Sequence, residues 1–244
     1  MGEFKFKTVD TEGLEILESI SDADNFNGWM YKTIKPFTKG NILEIGSGIG
    51  NISKFFLNDN AQITLSDIRE NYCSALEQKF STFSNLKNIE LMNLTDENFE
   101  QKFSHLLGTF DTVFAMNVVE HIYDDNLAIE NCHKLLKPGG HCIILVPAYQ
   151  RLYNKFDHEL EHYRRYSEKS LNKLFHNNQF KIIHNQYFNF AGIAGWFVSG
   201  KLQGNKSIPK GQMSFYNKLV PLFKLADKVL FNKVGLSVIT VGRK

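Results

Sequence analysis

The chain has 244 residues, 43% of them hydrophobic and 22% charged, with a formal net charge of +2. Those proportions are those of an ordinary globular protein and suit one domain with a full core, with room for a cap or insertion. So small a positive balance excludes nothing but a strongly basic nucleic-acid binder, although lysine is frequent after Lys201 and acids are rare there.

The first forty residues contain a helical pattern around Tyr31. Strand candidates then recur at 42–45, 62–66, 89–92, 112–116, 141–146, 181–187 and 236–241, with helical spacing at 52–57, 72–80 and 127–136 between the early ones. Alternation of this kind predicts a doubly wound α/β fold with a mostly parallel sheet. Lys137-Pro138-Gly139-Gly140 is expected to end a helix and turn the chain into the next strand. The last two strand candidates are separated by about fifty residues, too many for a bare loop. Helical stretches at 192–201 and 215–231, joined by 204–211, predict a cap inserted before the final strand. The expected organisation is an N-terminal helical segment over 1–40, an α/β body over 41–188 and 235–244, and a helical cap over 189–234.

Cys73, Cys132 and Cys142 show neither CxxC nor zinc spacing, so they are expected to be reduced thiols. Residues 1–10 alternate Phe and Lys without an apolar core, which predicts no secretory leader, and no window is apolar enough to span a bilayer. The expectation is a cytoplasmic protein, with membrane association left open.

The most informative stretch is Asn41-Ile42-Leu43-Glu44-Ile45-Gly46-Ser47-Gly48-Ile49-Gly50. A short apolar run meets an acid and then alternating glycines, which reads as a buried parallel strand ending in a tight turn before a helix. In open α/β sheets that place is a ligand crevice. Glycine there adopts positive φ and lets a ligand approach the backbone. The same glycines also suit a plain tight turn. Asp67 ends the next strand, followed by Ile68; its carboxylate can accept from two ribose hydroxyls or cap the following helix. Asn93 and Leu94 end the third strand and suit an adenine edge and face, though Asn93 is also a common turn residue. Met116 and Asn117 close the fourth strand, and Met116 equally suits plain packing.

Dinucleotide folds use G-x-G-x-x-G with a helix N-terminus aimed at a pyrophosphate. Here the pattern is E-x-G-x-G-x-G, and Glu44 suits a cationic ligand instead. With Ser66-Asp67-Ile68, Asn93-Leu94, the 110–121 stretch and 136–140 following in order, the chain resembles class I S-adenosylmethionine-dependent methyltransferases. The resemblance implies a seven-stranded sheet with an antiparallel last strand and S-adenosyl-L-methionine as cofactor, leaving S-adenosyl-L-homocysteine. It implies Glu44, Gly46, Ser47, Gly48 and Gly50 at the methionine part, Asp67 and Ile68 at the ribose, and Asn93, Leu94, Met116 and Asn117 nearby. The family often has Asp where Asn93 stands.

Past the fifth strand, the 146–167 segment is dense in titratable and aromatic side chains and is expected to face the substrate. Asp157-His158-Glu159 and His162-Tyr163-Arg164-Arg165-Tyr166-Ser167 resemble a bacterial subgroup of these methyltransferases, companions of glycan or lipid-linked sugar enzymes. His121, His158 and His162 are the candidate bases, oriented by Asp157 or Glu159. The competing expectation for 157–165 is a surface helix laced with salt bridges. Arg164 and Arg165 either fork onto an anionic substrate or hold the cap against the sheet. Asn117, Glu120 and His121 resemble in part a metal site of quinone-pathway methyltransferases, but Asn117 replaces the first acid and no metal is expected. Within 215–231, Leu219, Leu222, Phe223, Ala226, Val229 and Leu230 form one apolar stripe, expected to pack inward, with Lys218, Lys224 and Lys228 elsewhere.

The leading expectation is a methyltransferase acting on a small-molecule or lipid- or sugar-linked acceptor, with a peripheral membrane contact and a homodimer left open and nucleic acid not expected. The alternatives are an NAD-dependent oxidoreductase, against which the missing G-x-G-x-x-G speaks, and a non-catalytic cofactor-binding protein on the same fold.

Overall fold

A computed structural model describes residues 11–197 and 211–244. Seven strands, β1 (Ile42–Ile45), β2 (Ile63–Asp67), β3 (Leu86–Leu91), β4 (Phe110–Met116), β5 (Leu136–Pro147), β6 (Lys181–Phe188) and β7 (Ser237–Arg243), form one sheet in the order β3-β2-β1-β4-β5-β7-β6. The five strands from β3 to β5 are parallel. β7 runs antiparallel to both β5 and β6. The helices are α1 (Thr11–Ser21), α2 (Asp24–Ile34), α3 (Ser53–Asn58), α4 (Glu70–Phe80), α5 (Phe99–Lys102), α6 (Asp125–Leu135), α7 (Lys155–Glu159), α8 (Glu168–Asn177), α9 (Phe190–Trp196) and α10 (Gln212–Val229).

Every residue of β1 and β2 is buried, as both faces of a parallel sheet are covered. The strand period of two divides the core accordingly. Leu43, Ile45, Val113 and Ala115 enter a layer with Ala128, Cys132, Leu171 and Phe175 of α6 and α8. Ile42 and Phe114 enter the opposite layer with Ile34, Phe56 and Leu76 of α2, α3 and α4. Glu44 shares the face of Ile42, so it meets α3 rather than α6. The edge strand β3 is largely half-buried or exposed.

Several boundaries differ from the sequence expectation. Lys137–Gly140 does not separate a helix from a strand; it lies inside β5 as an irregularity where Phe110 pairs with Leu136 and Thr112 with His141. Gly139 has φ +77° there, and its amide donates to the Lys244 carbonyl. A helix, α1, precedes the one expected around Tyr31. α2 packs into the core through Trp29, Met30, Tyr31 and Ile34. α9 begins at Phe190 and its description stops at 197, so the rest of the expected 192–201 helix and most of the 204–211 joint lie outside the described residues.

The expected inward stripe of α10 is also corrected. Leu222 and Val229 are exposed at 61% and 66%. The buried positions are Val220 and Asp227, with Tyr216 and Phe223 packed on the core. α10 docks on α2 and on the β6–α9 corner, not flat on the sheet. Asn217 accepts from the Phe26 amide, and Asp227 accepts from the amides of Asn189 and Phe190 at 2.6 and 2.7 Å. Those two backbone donors at the start of α9 need an acceptor, and an acid fills the inward position. All three cysteines are buried and free.

Candidate active site

The glycine turn leaves β1 at the carboxyl ends of the parallel strands. Gly46, Gly48 and Gly50 all have positive φ, between 54° and 79°. The expectation that they open space for a ligand needs correcting in part. A Cβ on Gly46 would lie 2.4 Å from Val118 Cγ2, and one on Gly50 would lie 2.3 Å from Phe80 Cε2. A Cβ on Gly48 would lie 2.9 Å from Leu17 Cδ1. The glycines therefore also admit the protein's own side chains, and α1 lies over the turn. Asn51 Nδ2 donates to the Leu17 carbonyl and Lys54 reaches the Ser21 carbonyl, tying α1 down.

Glu44 and Asp67 stand on adjacent strands, both buried, close enough that the charge of Asp67 acts on Glu44. Burial raises the Glu44 carboxyl to about 8, against lowering hydrogen bonds from Ser53 and Ser47 and a smaller raising effect of Asp67. Ser53 Oγ donates to Glu44 Oε2. A buried carboxylate held only by hydroxyls lacks a positive partner. Asp67 Oδ2 accepts from the Gly48 amide at 2.9 Å and Oδ1 from the Arg69 amide at 3.0 Å. Burial nonetheless raises its pKa, opposed by those amides. Ser47 links β1 to β2: its amide donates to the Ser66 carbonyl, and its hydroxyl accepts from the Ser66 amide.

The other expected cofactor residues divide. Ile68 is 36% exposed beside Asp67, Met116 is half-buried, and Asn117 is exposed with φ +54° at the strand exit. Leu94 is corrected: its side chain is 3% exposed and packs in the core with Ile45 and Val113 instead of offering a face to the crevice. Asn93 is partly engaged locally. Its Oδ1 accepts from the amide and the hydroxyl of Thr95, the local turn bonding typical of asparagine, in addition to any role toward an adenine amine.

The 157–165 segment is not a surface helix. Only Lys155–Glu159 is helical, capped by reciprocal bonds between Asn154 and Asp157. Asp157 is fully buried, and His162 and Arg165 are 5% exposed. Asp157 Oδ1 receives His162 Nδ1 at 2.9 Å and Arg165 Nε at 2.7 Å. The histidine that Asp157 orients is therefore His162, whereas His158 is exposed on α7. Arg165 also donates to the Ala148 carbonyl, and its guanidinium lies 4.4 Å from the Trp196 ring centre. Arg164 pairs with Asp125 and donates to the Tyr123 carbonyl. Both arginines are thus engaged within the fold, and Arg165 clasps α9.

His121 meets His162 edge to face, ring centres 4.5 Å apart. His121 is solvent-accessible, with protein atoms close around it. Burial among those atoms, then the charges of His162 and Arg69, hold its pKa well below the ordinary histidine value. His162 is also lowered, by burial, with Asp157 opposing. Both shifts favour the neutral imidazole. Glu120, fully buried beside them, is raised by burial to about 8, and no hydrogen-bond partner reaches either carboxylate oxygen among the described residues. The influence of Arg69 on His121, and the closeness of Val118 to Gly46, join this cluster to the Glu44–Asp67 pair. Sequence reasoning singled out Glu120 beside His121 but missed Ser53, whose contact with Glu44 no spacing in the chain marks.

A methyltransferase domain family matches residues 28–185. A highly reducing polyketide synthase of Phaeosphaeria nodorum is 34% identical over 104 residues, 41% of this chain and 4% of that protein. A hybrid polyketide–peptide synthetase of Talaromyces variabilis is 28% identical over 131 residues, 50% of this chain and 3% of that one. The chain thus covers only a few per cent of these curated relatives' length. Among solved structures, a SAM dependent methyltransferase from Archaeoglobus fulgidus superposes with a TM-score of 0.64 at 15% identity, covering 96% of this chain and all of that one (100%). Phosphoethanolamine N-methyltransferase 2 of Haemonchus contortus, in complex with S-adenosyl-L-methionine, gives 0.63 at 17% identity, covering 95% of this chain and 56% of that one. The cyclase SpnF gives 0.61 at 12% identity, covering 100% of this chain and 99% of that one. At such identities these likenesses establish the shared fold. The seven-stranded architecture and the match over most of its length show that the chain belongs to the methyltransferase domain family.

Proposed function

We propose that the protein transfers a methyl group from S-adenosylmethionine to a small-molecule or lipid-linked acceptor. The observation that carries this reading is Glu44, a buried carboxylate whose side-chain partners among the described residues are hydroxyls, beside Asp67 at the carboxyl ends of adjacent parallel strands. That pair fits a nucleoside carrying an ammonium group. Glu44 holds the ammonium, and Asp67 takes ribose hydroxyls at the end of β2. When bound, the cofactor supplies an electrophilic methyl on a sulfonium. The chain supplies orientation, a water-poor wall and a proton acceptor. In this reading the accessible His121 takes a proton from an acceptor, and His162 behind it, held by Asp157, supports this role.

A lipid-linked acceptor is favoured by α10 and the turn after it. Phe215, Leu222, Leu225, Val229 and Phe231 are exposed at 57–80%, with Lys218 and Lys228 also exposed. Such a surface suits contact with an anionic membrane. No described helix is long and apolar enough to cross one.

The test is calorimetry with S-adenosylhomocysteine and NADH, then labelled methyl transfer over a panel of soluble and lipid-linked acceptors. Binding of S-adenosylhomocysteine and methylation of a lipid-linked acceptor are expected. Binding of NADH alone would instead favour the oxidoreductase, and cofactor binding without any acceptor would favour the non-catalytic alternative. Leu222→Asp with Val229→Asp is expected to abolish sedimentation with anionic vesicles while leaving the fold unchanged; unaltered sedimentation refutes the membrane contact.

A further inference from the structure

Glu120, His121 and His162 each bring one donor atom within 4.8 Å of the other two. Glu120 and His121 leave the turn after β4, while His162 comes from the segment after α7. Their meeting is therefore a tertiary event that the spacing of Asn117, Glu120 and His121 does not reveal. Glu120 is 0% exposed, and neither of its oxygens has a hydrogen-bond partner among the described residues. A cation at that place would supply the partner that burial of the ionised carboxylate lacks. Arg165 is near enough to act on Glu120, but its Nε is bound to Asp157 and its Nη1 to the Ala148 carbonyl.

One imidazole is oriented from behind. His162 Nδ1 bonds Asp157, which leaves Nε2 as the nitrogen able to bind a ligand. The Leu160 backbone is near enough to His121 to act on it. Metal-bound histidines characteristically donate their second nitrogen to a carboxylate or a backbone carbonyl in this way.

We propose that Glu120, His121 and His162 bind one divalent first-row transition cation. Two imidazoles with one carboxylate suit zinc, iron(II) or manganese, whereas magnesium and calcium favour oxygen ligands. Four-coordinate donors at about 2.1 Å from a zinc ion lie about 3.4 Å apart, so donor atoms up to 4.8 Å apart close onto the cation on binding. Three protein ligands leave a position open, and an acceptor oxygen or nitrogen fits it. With the cation bound, His121 and His162 act as ligands rather than as bases. The cation site stands on these three residues alone; its role at the acceptor end rests on the methyl-transfer reading.

The test uses the full chain, stripped with a chelator and titrated with cobalt(II). One equivalent is expected, with the visible absorption of four- or five-coordinate cobalt, displaced by zinc and not by magnesium. His121→Ala, at an accessible position where folding is least at risk, and His162→Gln should each lower cobalt affinity tenfold or more, while His158→Ala leaves it unchanged. No saturable cobalt binding, binding indifferent to both histidine substitutions, or equal displacement by magnesium overturns the site. S-adenosylhomocysteine affinity measured on the same samples separates the two readings. Cofactor binding without metal defeats the cation site alone, and metal binding without cofactor defeats the methyl-transfer reading alone.

Discussion

Raising the pH should tighten S-adenosylhomocysteine binding, and Glu44 sets the size of the effect. Its carboxyl sits at about 8, raised from 4.5 chiefly by burial. At about pH 7 only roughly one carboxyl in ten is then ionised, and at about pH 6 roughly one in a hundred. An ammonium group binds the ionised form, so affinity should rise about tenfold per pH unit, or about 1.4 kcal/mol, from pH 6 until it levels near 8. Binding near pH 6.5 should release close to one proton, read by calorimetry in two buffers of different ionisation enthalpy. The apo protein should show the opposite sign. Its folded-state pKa lies above the unfolded value, so the stabilisation from Glu44 is full below about 4.5 and is lost as pH rises toward 8. Glu44→Gln should flatten the binding profile and weaken binding at pH 8. An affinity that is constant between about pH 6 and 8, or a slope that survives in Glu44→Gln, refutes the assignment of Glu44 to the ammonium.

Three further outcomes follow from particular contacts. Asp67→Asn keeps an oxygen for the Gly48 or Arg69 amide but loses the charge, so S-adenosylhomocysteine affinity should fall about 10- to 100-fold with little change in melting temperature; calorimetry and thermal denaturation check both halves. Gly48→Ala places a Cβ at 2.9 Å from Leu17 with φ +54° and should cost about 1–2 kcal/mol in urea unfolding, of which Leu17→Ala recovers the steric share and not the backbone strain. Asp157→Ala strips the buried Arg165 and His162 of their shared acceptor and should cost about 3–5 kcal/mol, a much larger loss than Glu159→Ala on the same helix.

The strands that carry the site were legible because parallel strands are covered on both faces. They therefore appear as short apolar runs, as at Ile42–Ile45, and the sharp turn after them required glycine. The α10 face was misread because the apolar stripe is not what docks. The helix meets α2 and the start of α9, where Val220 and an acid, Asp227, fill the inward positions. Asn93 and Leu94 stand at the right end of β3, but their side chains serve a local turn and the core. Segment 157–165 shows the limit most clearly. Its alternating charges match an exposed helix as well as a buried cluster, and only the packing of Trp196 and Ala148 around Arg165 distinguishes the two.

Sequence alone determined the α/β class, the position of the glycine turn, and the acids that precede it and close the next strand. Those features are local: periodicity, turn chemistry and residue type repeat over a few neighbours. Tertiary structure decided what no local pattern encodes. It placed Leu17 over Gly48, chose His162 rather than His158 as the partner of Asp157, and brought His121, His162 and Glu120 together from separate segments. Contacts between distant parts of a chain depend on how layers pack against one sheet, and residue spacing carries no record of that packing.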